Sequence, residues 1–383
     1  MIGNFRLNNE HADPAIQALR QEVREFLAEE KKAGGFKVGP GLWLRFDARF
    51  SEKLGKRGWV GMTFPRKYGG QDASPLHRYV VTEELLASGA PLRAHWTGDR
   101  QVGPNLLRFG TEFQRQEILP RIVAGRCYIC IGMSEPNSGS DLASMRTSAT
   151  RSGDGWRING RKIWTSNAHR AHYMNLLART SDDEKDRRTG ITQFLVDMKS
   201  PGLRIRPIIN TAGEHDFNEV EFDNVFVPDE WVVGAVGNAW NQMSTELAYE
   251  RSGSDRWLGS HELLVGAIDR VGQDCSGAAK RLIGAKVAEL FTLHRMSFAI
   301  GAMLERGETP VVEASIVKDL GTHFEKGIPD VVEELLDEMD SALLDDEYLA
   351  MLRYARRNAA TQTVKGGARE ILRGIIARDL GLR

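Results

Sequence analysis

The sequence predicts an α+β protein in three consecutive parts: an N-terminal helical domain, a small central antiparallel β domain and a C-terminal helical bundle. Three observations carry this. Apolar residues recur at three- and four-residue steps in the first third, and again in the last third. Between Cys127 and Val233 the pattern changes to short β-type runs broken by turn residues. No long helix separates those runs, so the strands read as antiparallel and not as a βαβ repeat. The boundaries fall at 1–126, 127–238 and 239–383, the last part reading as a four-helix bundle.

In the first part, Ile16, Leu19, Val23, Phe26 and Leu27 share one helix face. Residues 46–56, 76–87 and 113–123 carry similar helical patterns, while the Gly- and Pro-rich stretch 61–74 reads as loop. In the middle, 156–158, 173–178, 192–196 and 220–227 read as strands, with Asn159-Gly160 as a hairpin turn because both residues tolerate positive φ. In the last part, 240–251, 260–271, 278–304, 311–326 and 347–362 are helical in period. The acidic stretch 330–346 is expected to be part helix or loop. No fixed-period repeat is present.

Composition narrows the function classes. Lys plus Arg number 51 against 52 for Asp plus Glu, which leaves no global basic field for nucleic acid or an anionic membrane. Cys127, Cys130 and Cys275 cannot build a disulfide framework, and a reducing cytoplasm is the expected setting. Cys127 and Cys130 form a CxxC without a second ligand pair, so packing inside a core is expected in place of a metal site. Residues 1–10 lack the pattern of a signal peptide, and no uninterrupted apolar run of about 18 residues predicts a membrane-spanning helix.

The most specific signal is a pair of segments in the middle part. The first is Ser134-Glu135-Pro136-Asn137-Ser138-Gly139-Ser140-Asp141, and the second is Gly160-Arg161-Lys162-Ile163-Trp164-Thr165-Ser166-Asn167-Ala168. Together they resemble the flavin-binding signature of the acyl-CoA dehydrogenase family. Phe109-Gly110-Thr111-Glu112, Phe217-Asn218-Glu219-Val220 running on to Val227-Pro228, and Glu370-Ile371-Leu372-Arg373 running on to Arg378 resemble further family segments. The resemblance spans nearly the whole chain in the right order. It implies bound FAD and dehydrogenation of an acyl-CoA thioester to a trans-2-enoyl-CoA in lipid catabolism, with electrons leaving through an electron-transfer flavoprotein. A flavin that accepts hydride gathers negative charge along its pyrimidine side, where N–H and hydroxyl donors stabilise it. By resemblance, Met133 and Ser134 lie beside that edge, Trp164 walls the ring, and Thr165 and Ser166 bond its rim. Ser140 falls where the family contacts the cofactor phosphate or the thioester substrate.

The reaction needs a carboxylate to take the α-proton, and a buried Glu suits this because desolvation makes it a stronger base. Most family members carry that Glu before the terminal helix, where this chain has Lys365-Gly366-Gly367-Ala368-Arg369. Glu370 belongs by resemblance to the flavin side of that motif. A branch resembling isovaleryl-CoA and long-chain acyl-CoA dehydrogenases places the base on an earlier helix, in a Glu-Arg dipeptide. This chain has Ala248-Tyr249-Glu250-Arg251 there, which makes Glu250 the candidate base and Glu246, one turn earlier, the runner-up. Arg251 is expected at the CoA or substrate end, with a surface salt bridge as the alternative. By resemblance, the backbone N–H of Gly366 is expected to keep the family's hold on the thioester carbonyl.

On the adenine side, Arg281 in Arg281-Leu282-Ile283-Gly284 is what matches the family's R-x-x-F-G, its Q-x-x-G-G has no clear match, and Ala368 replaces a cofactor-binding Thr. Two assemblies follow. One is a homotetramer with substitute residues such as Arg281 or Arg369. The other is an α2β2 heterotetramer with a homologous subunit, as in bacterial enzymes that resemble this chain and act on steroid side chains. An oxidase or monooxygenase on the same fold, or a non-catalytic partner subunit, are the alternative functions.

Overall fold

A computed structural model describes residues 5, 13–181, 186–243, 253–364 and 366–382. Helices α1 (Pro14–Lys32), α2 (Ala48–Lys56), α3 (Pro75–Ala87), α4 (Arg93–Thr97), α5 (Gly103–Phe109) and α6 (Glu112–Val123) come first. Strands β1 (Ile129–Gly132), β2 (Ser148–Ser152), β3 (Gly155–Ser166), β4 (Tyr173–Arg179), β5 (Ile191–Asp197), β6 (Leu203–Ile208), β7 (Phe217–Pro228) and β8 (Val232–Val233) follow. Helices α7 (His261–Val271), α8 (Gly277–Glu305), α9 (Val311–Leu335), α10 (Asp346–Asn358) and α11 (Arg369–Asp379) end the chain. The helical, β, helical order matches the sequence reading. By contacts the chain forms two compact units, one from residues 1–50, 73–93 and 248–383, the other from 51–72 and 94–247.

Local chemistry explains where the helices begin. Asp13 accepts from the Ala15 N–H ahead of Pro14, and Ser74 accepts from the His77 N–H ahead of Pro75. Thr111 and Gln114 form a reciprocal capping box at α6. In the first unit, Ile16 of α1, Leu76, Tyr79 and Val80 of α3 and Phe298 of α8 make one buried cluster. Beside it Glu83 forms an ion pair with Arg20 at 2.8 Å and bonds His294 at 2.6 Å, so the buried carboxylate is paired.

Helix α8 departs from the expectation of no spanning segment. By length and composition it could cross a membrane, although charged residues interrupt its apolar run and 44% of its apolar window is buried. Helix α9 runs on through Leu335, so the acidic stretch is helical at its start and then forms 3₁₀ turns at Leu336–Glu338 and Ser341–Leu343. The helix expected at 240–251 extends beyond the described residues.

The second unit is built on one sheet in the order β6-β7-β3-β2-β4-β5-β8, with β1 beside β4. Most neighbours are antiparallel, as expected, but β1 runs parallel to β4. Ile158, Met174, Leu176, Phe194, Val220 and Val225 lie in its core, and Cys130 packs among them as a small apolar group.

Asn159-Gly160 is not a hairpin turn. It lies inside β3, and the turn between β2 and β3 is at Gly153 and Asp154. Ile158 pairs with Val225 and Gly160 with Phe222, so two steps on β3 face three on β7. The Asn-Gly signal serves a bulge there: the Asn159 side chain accepts from the Asn224 N–H at 2.8 Å, and Gly160 has φ 145°. A Cβ at Gly160 would come within 2.6 Å of Thr147 Oγ1, which explains the glycine.

Within the same unit His95 is fully buried, with Nδ1 2.8 Å from Ser51 Oγ. Burial lowers its pKa from 6.5 to about 4. The folded state therefore resists charging this ring, while the unfolded chain accepts the proton. Its contribution to stability is complete above the unfolded value and is lost as pH falls from there toward the folded one, by about 3 kcal/mol in all. The His95→Asn variant is expected to flatten that acid limb in denaturant titrations. An unchanged acid limb would contradict the assignment.

Candidate functional site

The site begins with a kink at the end of β3. Lys162 pairs with Val220, but the next pair is Thr165 with Asn218, so β3 carries one extra residue. Trp164 occupies this bulge with φ 58°, a conformation rare and costly for a bulky side chain. The bulge turns the indole out of the core: Trp164 is 57% exposed, with one edge against the Phe217 ring at a centroid distance of 5.9 Å. Thr165 is buried, and its Oγ1 has no hydrogen-bond partner among the described residues. Ser166 is half-buried at the strand's end.

The loop after β1 meets this strand through its backbone. Ser134 O accepts from the Ile163 N–H at 2.9 Å. Met133 O accepts from Lys162 Nζ at 3.0 Å, and the Met133 side chain packs against a buried cluster that includes Met145 and Leu177. Lys162 is itself buried and donates to Glu135 Oε1 at 2.8 Å. Glu135 also accepts from the N–H groups of Arg146 at 2.7 Å and Thr147 at 2.9 Å. Burial lowers the Lys162 pKa to about 8 against the opposing pull of Glu135. Burial pushes the Glu135 carboxyl up, but Lys162 and the hydrogen-bond donors outweigh it and hold it below the ordinary range. Glu135 then reaches Ser138 through a pair of backbone bonds, at 2.8 and 3.1 Å, which closes the signature loop.

The signature segments expected to meet are thus joined: Met133 and Ser134 are bonded to the strand that carries Trp164, Thr165 and Ser166. Ser140 is exposed in the turn that follows the loop. In the other unit, Arg281 is exposed near the start of α8 and Glu370 is exposed in the first turn of α11. Arg369 is engaged by Asp319 through bonds of 2.5 and 3.2 Å. Gly366 has φ 71°, and a Cβ there would lie 2.7 Å from Nη1 of the buried Arg256. Backbone and neighbour both oppose a side chain at that position. Glu246, Glu250 and Arg251 lie outside the described residues.

Two features were not read from the sequence. Glu135 and Lys162 served there only as landmarks of the motif, although the alternation of β3 that buries Ile158 also buries Lys162. Asn218 was quoted as part of a strand motif, but its side chain bonds the Thr165 carbonyl at 3.0 Å.

These residues fit a flavin. A planar ring with a polar edge would cover the exposed indole and satisfy the buried Thr165 hydroxyl. No described residues form a cluster able to hold a metal ion.

Comparison with known proteins shows the family. Residues 13–126 match the family model "Acyl-CoA dehydrogenase, N-terminal domain" and 130–225 match "Acyl-CoA dehydrogenase, middle domain". The chain is 33% identical to acyl-CoA dehydrogenase IpdE1 of Mycobacterium tuberculosis, over 96% of this chain and 98% of that protein. Among solved structures it is similar to the Tcur3481-Tcur3483 steroid ACAD, with TM-score 0.83 and 27% identity over 99% of each chain. It is similar as well to the ChsE4-ChsE5 complex from Mycobacterium tuberculosis, with TM-score 0.81 and 27% identity over 97% of this chain and 98% of that one. The signature loop, the bulged strand it grips and a likeness that runs the length of the chain lead to one conclusion: the chain belongs to the acyl-CoA dehydrogenase family of FAD-dependent oxidoreductases.

Proposed function

We propose that this chain carries out the family's α,β-dehydrogenation with Glu250 as base, on a bulky, ring-bearing acyl-CoA thioester. The observation that carries the flavin half is the buried Thr165 hydroxyl, without a partner among the described residues, beside the exposed Trp164. FAD, when bound, supplies the hydride acceptor. Met133, Ser134, Thr165 and Ser166 donate to or line its polar edge, and Trp164 walls the ring. Glu250 removes the α-proton, while the Gly366 N–H holds the thioester carbonyl as it gains negative charge. Ser140 and Arg251 contact substrate, with Ser140 at the cofactor phosphate, Arg281 on the adenine side and Glu370 on the flavin side. The names of two similar structures, a steroid ACAD and a two-component complex, support the bulky acyl group and a heterotetramer with a homologous subunit. The working domain division is 1–126, 127–238 and 239–383, in the cytoplasm, with an electron-transfer flavoprotein as acceptor.

Purifying the chain alone and with a co-expressed homologous subunit tests the assembly. A flavin-poor, inactive preparation rescued by the second subunit is expected. A homotetramer with one tight FAD per chain and full activity would remove the partner. Rapid oxygen consumption with acyl-CoA would identify an oxidase instead. On the flavin side, Ser166→Ala is expected to shift the flavin spectrum or weaken FAD retention, because it removes a hydroxyl partner from a buried polar edge. An unchanged spectrum and unchanged FAD affinity would place the segment away from the ring.

A further inference from the structure

The bulge that presents Trp164 and Thr165 is held from behind by a polar cluster. Asn218 is fully buried on β7, opposite Thr165, and its Nδ2 donates to the Thr165 carbonyl at 3.0 Å. Its Oδ1 meets two imidazoles: His169 Nδ1 at 3.2 Å and His215 Nε2 at 2.7 Å. The two rings are stacked, with centroids 3.9 Å apart and planes 19° apart. An amide oxygen can only accept, so both ring nitrogens must carry hydrogen, and this fixes which end of Asn218 faces Thr165.

We infer that Asn218, oriented by the stacked His169 and His215 rings, is a positioning residue that sets the flavin-facing conformation of Trp164–Ser166. The inference rests on the flavin reading above. Asn218 touches the backbone of the bulge, and the two rings touch Asn218. Further bonds tie the same segment, since the Asn167 N–H donates to Asp216 O at 2.8 Å and Asn210 Nδ2 reaches the Asp216 carboxylate at 3.2 Å.

His169 is built to work uncharged. Stacked imidazoliums would repel at this spacing, and Arg170 adds a further positive charge beside His169, with Asp216 the opposing acid. Burial first, then His215 and Arg170, lower the His169 pKa from its ordinary value. As pH falls and His169 charges, repulsion from Arg170 strains the stack that orients Asn218, and the bulge loosens.

The test compares three variants of the FAD-loaded protein by visible circular dichroism of the flavin across pH, FAD affinity, and amide hydrogen exchange over residues 163–167. His215→Phe keeps an aromatic ring in the stack but removes the donor, and Asn218→Asp keeps the acceptor but removes the donor to Thr165. Each is expected to change the flavin dichroism, speed exchange over 163–167, and weaken FAD about tenfold, as loss of one hydrogen bond near a ligand should. His215→Gln retains a donor that does not titrate. It is expected to keep the wild-type dichroism and exchange at neutral pH while altering the acid limb of the flavin signal. Wild-type exchange, dichroism and affinity in both His215→Phe and Asn218→Asp would overturn the inference. The exchange measurement reads the bulge with or without bound flavin, so a failure of the flavin reading is distinguishable.

Discussion

Glu250→Gln is expected to leave the fold and bound FAD in place and to slow flavin reduction by acyl-CoA at least about a thousandfold. The argument is chemical. Dehydrogenation needs one carboxylate base, and the usual family position for it holds Gly366, whose φ of 71° and contact with Arg256 both disfavour a side chain. The Glu-Arg dipeptide on the earlier helix is the alternative, and Glu250 supplies it. Glu246→Gln, one turn away, is expected to change the rate by less than about tenfold. Adding Gly366→Glu to Glu250→Gln is not expected to rescue activity. A carboxylate placed against the Arg256 guanidinium would be held ionised and would be a weak base. Reduction by Glu250→Gln within tenfold of wild type would sink the assignment.

The second large effect concerns the pair beneath the signature loop. Lys162→Met is expected to destabilise the protein by about 3–5 kcal/mol, because it leaves the Glu135 carboxylate buried without its cation. Met133 O loses its donor as well. Glu135→Gln added to Lys162→Met is expected to recover part of that loss, since the uncompensated charge is gone and an acceptor for the Arg146 and Thr147 N–H groups remains. Exposed pairs such as Arg204 with Glu221, at 3.3 Å, give the contrast: Arg204→Ala should cost no more than about 1 kcal/mol. Denaturant midpoints for the three variants decide the matter. A Lys162→Met protein as stable as Arg204→Ala would show that the buried pair does not hold the loop to β3.

What was legible in the sequence was what is local. Helix faces at α1, α3 and α6 follow from three- and four-residue periodicity, and β4, β5 and β7 from β-rich runs between turns. The signature loop and the bulged strand were found because their residues are contiguous and their spacing is specific. What was missed depends on pairing between distant segments. Asn159-Gly160 carries the correct backbone preference, but whether positive φ makes a turn or a bulge is decided by the register with β7, some sixty residues away. Asn218 gains its role only because that register sets it opposite Thr165. The pressure on Gly366 comes from Arg256, which no periodicity links to it. Glu135 and Lys162 read as polar residues of a motif, and only the closed sheet shows them buried against each other.

The central claim is that this chain holds a flavin which an acyl-CoA thioester reduces through Glu250. Its most direct test is an anaerobic titration of the purified FAD-loaded protein, with its partner subunit if FAD requires one, using short, branched, long and polycyclic acyl-CoA thioesters. The account predicts that a bulky ring-bearing thioester bleaches the flavin's visible absorption, forms one enoyl-CoA per flavin reduced, and fails to do so at a comparable rate in Glu250→Gln. A fully loaded flavin left unbleached by every thioester, or bleached equally fast without Glu250, would contradict it.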